Sequence, residues 1–177
     1  MKTEFIDSIL KIDSPWLFWG VSDESTTTNF AFNLHMELHP NVTVLRLRGG
    51  KMKNLASFFD ESAAVLQFPY YFGENWNAFD ECIKDLDWLD TSGYVLVVFD
   101  ADELFSQCPN VEEEMETLLR ILESAALEWS EAIDLSSAWG RSSRPFRVIF
   151  QTTQDKEEIF RLRVSKADQV FSKLSIK

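Results

Sequence analysis

The feature that most constrains the fold is a run of six apolar residues, Tyr94 to Phe99 (YVLVVF). A strand that is apolar on both faces must be covered on both faces, as a strand inside a parallel sheet is. Residues 42–47 and 146–150 predict two further strands of this kind. Because helical patterns separate the three strands, the order β-α-α-β-α-β predicts an α/β fold with a parallel sheet. The predicted helices lie near 54–66, 75–86 and 111–130.

The second predicted helix carries a polar face directly after an aromatic run. Tyr70, Tyr71 and Phe72 precede Gly73, a residue type often found where the backbone needs a positive φ or a close approach. Asn75 is a suitable N-cap for the helix that follows. At 100° per residue its positions divide between two faces. The apolar face holds Trp76, Phe79, Ile83 and Leu86, and the polar face holds Asn77, Glu81 and Lys84.

Composition favours one globular domain in a reducing compartment. A chain of 177 residues with 45% hydrophobic residues can bury a sizeable core. We see no apolar run long enough for a membrane helix and no continuous apolar segment typical of a secretory signal at the N-terminus. Cys82 and Cys108 are the only cysteines, so no disulfide framework is indicated. We therefore expect a cytoplasmic protein without membrane contact.

Negative charge is concentrated in the middle of the chain. Residues 60–135 hold 19 of the 29 acidic residues and only two basic ones, a net charge of −17. Such a segment repels a phosphate backbone and attracts a basic protein or a metal. Plain solubility is the simpler explanation of the same charge. We expect no binding to nucleic acid.

No catalytic or cofactor pattern stands out. His35 and His39 are spaced as two metal ligands on a helix, but no third ligand is evident nearby and Pro40 follows at once. Neither GxGxxG nor GxxxxGK[ST] is present. Acidic pairs such as Asp80 and Glu81 do not by themselves indicate acid–base chemistry. The sequence therefore predicts no enzyme, no cofactor and no metal site.

Residues 49–89 resemble the barstar family of barnase inhibitors. Their sequence is GGKMKNLASFFDESAAVLQFPYYFGENWNAFDECIKDLDWL. The resemblance covers about residues 43–130. It implies a small three-layer α/β fold, with a three-stranded parallel sheet, surrounding helices, and N- and C-terminal additions. Its most specific part is a set of residues in fixed spacing: Pro69, Tyr71, Gly73, Glu74, Asn75, Trp76 and Ala78, with an acidic residue at 81.

The resemblance also implies a partner-binding site. Its residues are Tyr71, Gly73, Glu74, Asn77, Asp80 and Glu81. Tyr71 matches a family tyrosine that packs on the nuclease, and we expect Phe72 to pack inward. Asn77 and Glu81 fall where the family has aspartates, and Asp80 replaces a tryptophan. Loss of the carboxylate at 77 removes one phosphate mimic, and the longer side chain at 81 moves its carboxylate by about 1.5 Å.

We therefore expect a protein that binds and inhibits a basic ribonuclease or related nuclease toxin, and that is a monomer when free. A non-inhibitory interaction module on the same scaffold is the alternative. We divide the chain into an N-terminal extension (1–41), which can carry extra strands packed on the domain, a barstar-like domain (42–152) and a C-terminal addition (153–177). The most loop-like stretches are 20–29 and 136–145. Residues 159–164 fit either an edge strand or a helix.

Overall fold

Among the described residues, five parallel strands form one sheet in the order β2-β3-β4-β1-β5. The computed structural model describes residues 3–136, 140–165, 169 and 171–176. The sheet lies between helices on both faces, so the molecule has three layers. The strands are β1 (Leu17–Val21), β2 (Thr43–Arg48), β3 (Tyr94–Phe99), β4 (Phe146–Thr152) and β5 (Phe171–Leu174).

The three strands predicted from the sequence are confirmed, together with their parallel pairing. Thr43 of β2 is opposite Tyr94 of β3, and Tyr94 is opposite Phe146 of β4. Every residue of β3 is buried. The apolar run at 94–99 therefore marks a strand that is covered on both faces, as the pattern indicated.

The predicted number of strands is wrong, because the sheet has five strands rather than three. β1 lies between β4 and β5, with Leu17 opposite both Val148 and Phe171. β1 has five residues and β5 has four, and β5 is an edge strand with no fully buried residue. Segments this short do not show a periodic pattern that distinguishes strand from loop.

In the part of the chain that the structure describes, six α-helices cover the sheet. Helices α1 and α2 pack on one face around Phe18, Val97 and Ile149. Helices α3 to α6 pack on the other face and enclose the larger core. Among the residues that the structure describes, no helix has the length and apolar character needed to span a membrane. The helices are α1 (Thr3–Leu10), α2 (Glu24–Leu38), α3 (Leu55–Leu66), α4 (Trp76–Asp85), α5 (Val111–Ser130) and α6 (Glu157–Val164).

The prediction of a loop at 20–29 is wrong. This stretch forms the end of β1 and, after a short connection, the first turns of α2. The Asp23 carboxylate accepts a hydrogen bond from the Thr26 backbone N–H at 2.7 Å and caps the helix. Threonine has a low helix propensity, so the sequence TTT does not indicate a helix. Burial of Phe30 and Leu34 against the sheet stabilises it instead. Residues 159–164, left open between strand and helix, lie in α6.

A buried arginine connects β4 to the N-terminal segment. Arg147 is 1% exposed, and its Nη2 donates to the backbone carbonyls of Lys11 and Asp13. Burial lowers the pKa of Arg147 to about 10. The segment that links α1 to β1 is therefore held to the sheet by polar contacts as well as by apolar packing.

An ion pair covers the end of the edge strand β2. Both Nε and Nη2 of Arg48 donate to the Glu61 carboxylate, at 2.7 and 2.6 Å, and the Arg48 backbone N–H donates to it at 3.3 Å. Glu61 is 7% exposed, whereas the Arg48 side chain is 54% exposed. The hydrogen bonds from Arg48 lower the pKa of Glu61 despite its burial.

This pair predicts a pH-dependent contribution to stability. Because the folded pKa of Glu61 is lowered, its contribution is complete above the ordinary glutamate pKa of 4.5 and is lost as pH falls through the folded pKa. We expect Glu61→Gln to lower the free energy of unfolding at about pH 7, and the difference from wild type to shrink at about pH 3. Urea denaturation at both pH values measures it.

The matched control is Glu24→Gln, which removes an exposed ion pair with Arg46. Exposed pairs contribute little, so this variant should resemble wild type at both pH values. An equal loss of stability for Glu61→Gln at both pH values would contradict the assignment to the Glu61 carboxylate.

Candidate functional site

The loop between α3 and α4 projects two tyrosines and turns the next aromatic residue inward. Tyr70 is fully exposed and Tyr71 is 63% exposed, and their rings meet edge to face at 5.7 Å. Phe72 is half-buried, with its ring 4.8 Å from Phe68 and 6.0 Å from Phe59. This loop, residues 67–75, is called the tyrosine loop below. It offers two tyrosine rings to a partner, and Phe72 fixes it to the core.

The backbone turns into α4 at Glu74 rather than at Gly73. Glu74 has a φ of 47°, whereas Gly73 does not have a positive φ. A Cβ atom on Gly73 would lie 3.0 Å from the Asn75 side chain, so its position is tight. Asn75 donates to the Gly73 carbonyl at 2.8 Å and accepts from the Ala78 backbone N–H at 3.0 Å. The predicted cap is present, and the predicted turn lies one residue later.

The polar face of α4 brings together three of the predicted site residues. Asn77 and Glu81 are exposed, and Asp80 is partly exposed. They are spaced i, i+3 and i+4, so they share one face of the helix. Asp80 is not a free carboxylate, because the Lys84 ammonium lies 2.7 Å from it. Glu81 forms no ion pair with any described residue, which makes it the available carboxylate at the centre of this face.

Packing beneath α4 fixes the direction of that face. Trp76 donates through Nε1 to Glu114 of α5 at 3.0 Å. Phe58 of α3 lies under the helix, with its ring 5.1 Å from Trp76 and 5.0 Å from Phe79. Since these contacts join α4 to both neighbouring helices, the exposed face is held on a rigid support.

The electrostatic field around the loop and α4 is negative. Partial burial and then the neighbouring Asp85 raise the pKa of Tyr71. Burial and the nearby Asp87 raise the pKa of Asp85 itself. Burial is the larger cause of each shift, and a neighbouring carboxylate adds to it. A cation brought to this surface would oppose the contribution of the carboxylates.

Sequence reasoning did not identify the pairing of Lys84 or the contribution of the segment after α5. Ile133 and Arg141 form an antiparallel bridge, and both residues line a groove beside α4. Helical periodicity placed Lys84 on the polar face but could not indicate its partner. The bridge pairs two residues that lie eight positions apart, outside any helix or named strand, and no local sequence signal predicts it.

The carboxyl ends of the strands form a second candidate ligand site, since open parallel sheets bind ligands where the strand order reverses. Here the order reverses between β4 and β1. Gln151, fully buried, donates to the Ser22 carbonyl at 2.7 Å and accepts from the Asp100 backbone N–H at 3.0 Å. The Asp23 carboxylate already occupies the N-terminus of α2, where a phosphate would otherwise bind.

The histidine pair of α2 gives no metal centre by itself. The rings of His35 and His39 lie 5.3 Å apart, in the last turn of α2 and at its C-cap. Within the described ranges, no group of three or more His, Cys, Asp or Glu side chains could hold a metal ion.

Solved structures match this chain at low sequence identity. The Aeropyrum pernix ORC2 protein, in ADPNP–ADP complexes, matches with a TM-score of 0.52 and 13% identity, covering 90% of this chain and 40% of that chain. Drosophila ORC bound to AT-rich DNA and Cdc6 matches with a TM-score of 0.45 and 14% identity, covering 91% of this chain and 48% of that chain. The chain thus spans less than half of either structure. The likeness to ORC2 shows the fold alone.

The sequence of the chain shows a family relationship that agrees with the site. No curated protein matches the chain. The profile of the family Barstar (barnase inhibitor) matches residues 42–151, which is more than half of the chain. The matched region includes the tyrosine loop, α4 and the three predicted strands. This chain belongs to the barstar family.

Proposed function

We propose that this protein binds a basic ribonuclease or related nuclease toxin and inhibits it by covering the active site with α4 and the tyrosine loop. The observation that carries the proposal is the exposed carboxylate of Glu81 on α4, the helix that follows a loop with two exposed tyrosines, in a member of the barstar family. The protein acts by binding, and the proposal involves no catalysis and no cofactor.

Each part of the surface has a physical role in this proposal. The Glu81 carboxylate takes the place of a substrate phosphate among the cations of the nuclease. Tyr71 and Tyr70 supply rigid aromatic area, which suits the centre of a protein interface. The charge of −17 between residues 60 and 135 attracts a basic partner over a distance set by ionic strength. Asn77 supplies no charge, so the target need not be barnase itself.

The test is inhibition of RNA cleavage by purified basic ribonucleases, with barnase and the secreted ribonucleases of the source organism as the panel. We expect stoichiometric inhibition of at least one enzyme and an association rate that falls steeply as salt rises. Binding that leaves cleavage unchanged would favour the non-inhibitory interaction module. Binding of RNA itself at physiological salt, in the absence of nuclease, would contradict the proposal, because the acidic surface should repel it.

A further inference from the structure

A groove runs beside the exposed face of α4 and contains charges of both signs. One wall is the second half of α4 and the residue Asp87, and the other is formed by α5 and the Ile133–Arg141 bridge. Asp80 and Glu81 belong both to this groove and to the candidate partner surface, so one partner would cover both. Carboxylates line most of it: Asp80, Glu81, Asp85, Asp87 and Glu128, with Lys84 and Arg141 as the basic residues.

Lys84 places a cation inside a face that is otherwise acidic. Its ammonium lies 2.7 Å from the Asp80 carboxylate, one helical turn away, and a fifth of its side chain is exposed. This arrangement cancels the charge of Asp80. A basic nuclease is therefore attracted by the remaining carboxylates of this face, such as Glu81, and not by Asp80.

Arg141 is the second basic residue of the groove, and its hydrogen bonding is incomplete. Its guanidinium stacks on Trp129 at 4.1 Å, and Nη2 donates to the Glu128 carbonyl at 3.0 Å. Nη1 is buried and has no hydrogen-bond partner among the described residues. A buried donor without an acceptor is costly. This atom has almost no solvent-accessible surface, so the groove presents Lys84 rather than Arg141 Nη1 to a partner.

We propose that Lys84 is a specificity-determining residue, which occupies the Asp80 carboxylate and so weakens this face toward nucleases whose basic side chains would meet Asp80. Basic side chains of the target nuclease meet Glu81 and Asp85. A nuclease that requires a carboxylate at position 80 binds less tightly, because Lys84 already pairs with that carboxylate. The inference rests on the proposed function, since the partner is the same nuclease.

Two substitutions that break the same ion pair separate this role from a structural one. Lys84→Gln removes the cation and frees the Asp80 carboxylate, whereas Asp80→Asn removes the carboxylate and frees the cation. The probe is catalytically inactive barnase, a basic nuclease, and the measurement is the dissociation constant by calorimetry. We expect Lys84→Gln to bind about tenfold more tightly than wild type and Asp80→Asn to bind more weakly. If the pair only supported the helix, both variants would change binding in the same direction.

Controls isolate the charge at position 84. Lys84→Arg keeps the cation and should bind as wild type does. Lys53→Gln breaks a different ion pair, in which the Lys53 ammonium lies 2.8 Å from the Glu103 carboxylate. This pair lies outside the groove, so the substitution should also leave binding unchanged. The inference is overturned if Lys84→Gln binds barnase no more tightly than wild type, including the case in which neither binds. Failure of wild type to inhibit any nuclease would contradict the proposed function but not this comparison, which measures variants against one named nuclease.

Discussion

Replacing Glu81 with alanine is expected to weaken binding of the target nuclease by about 2–5 kcal/mol while leaving the melting temperature nearly unchanged. Glu81 is exposed on α4 and forms no ion pair with a described residue, so the free protein loses little when it is removed. In the complex the same carboxylate is covered and pairs with cations of the nuclease. Its loss leaves those cations buried without a counter-charge, which is the main cost. Calorimetry for binding and a thermal melt for stability separate the two effects.

Two companions make this result specific to the site. Tyr71→Ala should weaken binding as well, again with little change in melting temperature, because most of the ring is exposed in the free protein. Glu158→Ala removes an exposed carboxylate from α6, which packs against α5, and should bind as wild type does. If Glu158→Ala weakens binding as much as Glu81→Ala, overall charge rather than the α4 face determines affinity.

Local sequence signals predicted the parts of the fold whose cause is local. The apolar run of β3 requires cover on both faces, and Asn75 supplies the hydrogen-bond acceptor that a helix N-terminus requires. The sequence allowed extra strands in residues 1–41 but did not locate β1, and it did not indicate β5, because each of these strands acquires its identity from its neighbours in the sheet. Helix α2 escaped because its first turn is rich in threonine. Its stability comes from tertiary contacts that the sequence does not display.

In the site, too, the features with a local cause were predicted from the sequence, and those that depend on long-range contacts were not. Helical spacing placed Asn77 and Glu81 on one face, and the structure shows both exposed there. Phe72 packs inward as expected but remains half-buried. The positive φ expected near Gly73 lies at Glu74, because backbone conformation at a turn depends on how the two helices meet. The groove beside α4 needs the bridge at Ile133, a long-range contact without a local signature.

The largest expected loss of stability follows from the aromatic cluster beneath α4. Phe58 is 2% exposed, and its ring lies 5.0–5.4 Å from four other aromatic rings. These rings come from α3, from α4 and from the segment after β3, so Phe58 joins three parts of the core. They belong to Phe59, Trp76, Phe79 and Phe105.

Phe58→Ala is expected to lower the free energy of unfolding by about 3–5 kcal/mol, since it removes buried apolar area and leaves a cavity that rigid rings cannot fill. Urea denaturation measures the loss, with an unchanged m-value as the sign that the native state is otherwise retained. Phe32→Ala is the matched control, because Phe32 is 61% exposed on α2 and should change stability by about 0.5 kcal/mol or less. Equal effects of the two substitutions would show that the cluster does not hold α4. Phe58 supports the binding face without contributing a group to it. The folded fraction of Phe58→Ala should therefore still bind the nuclease more tightly than the Glu81→Ala variant does.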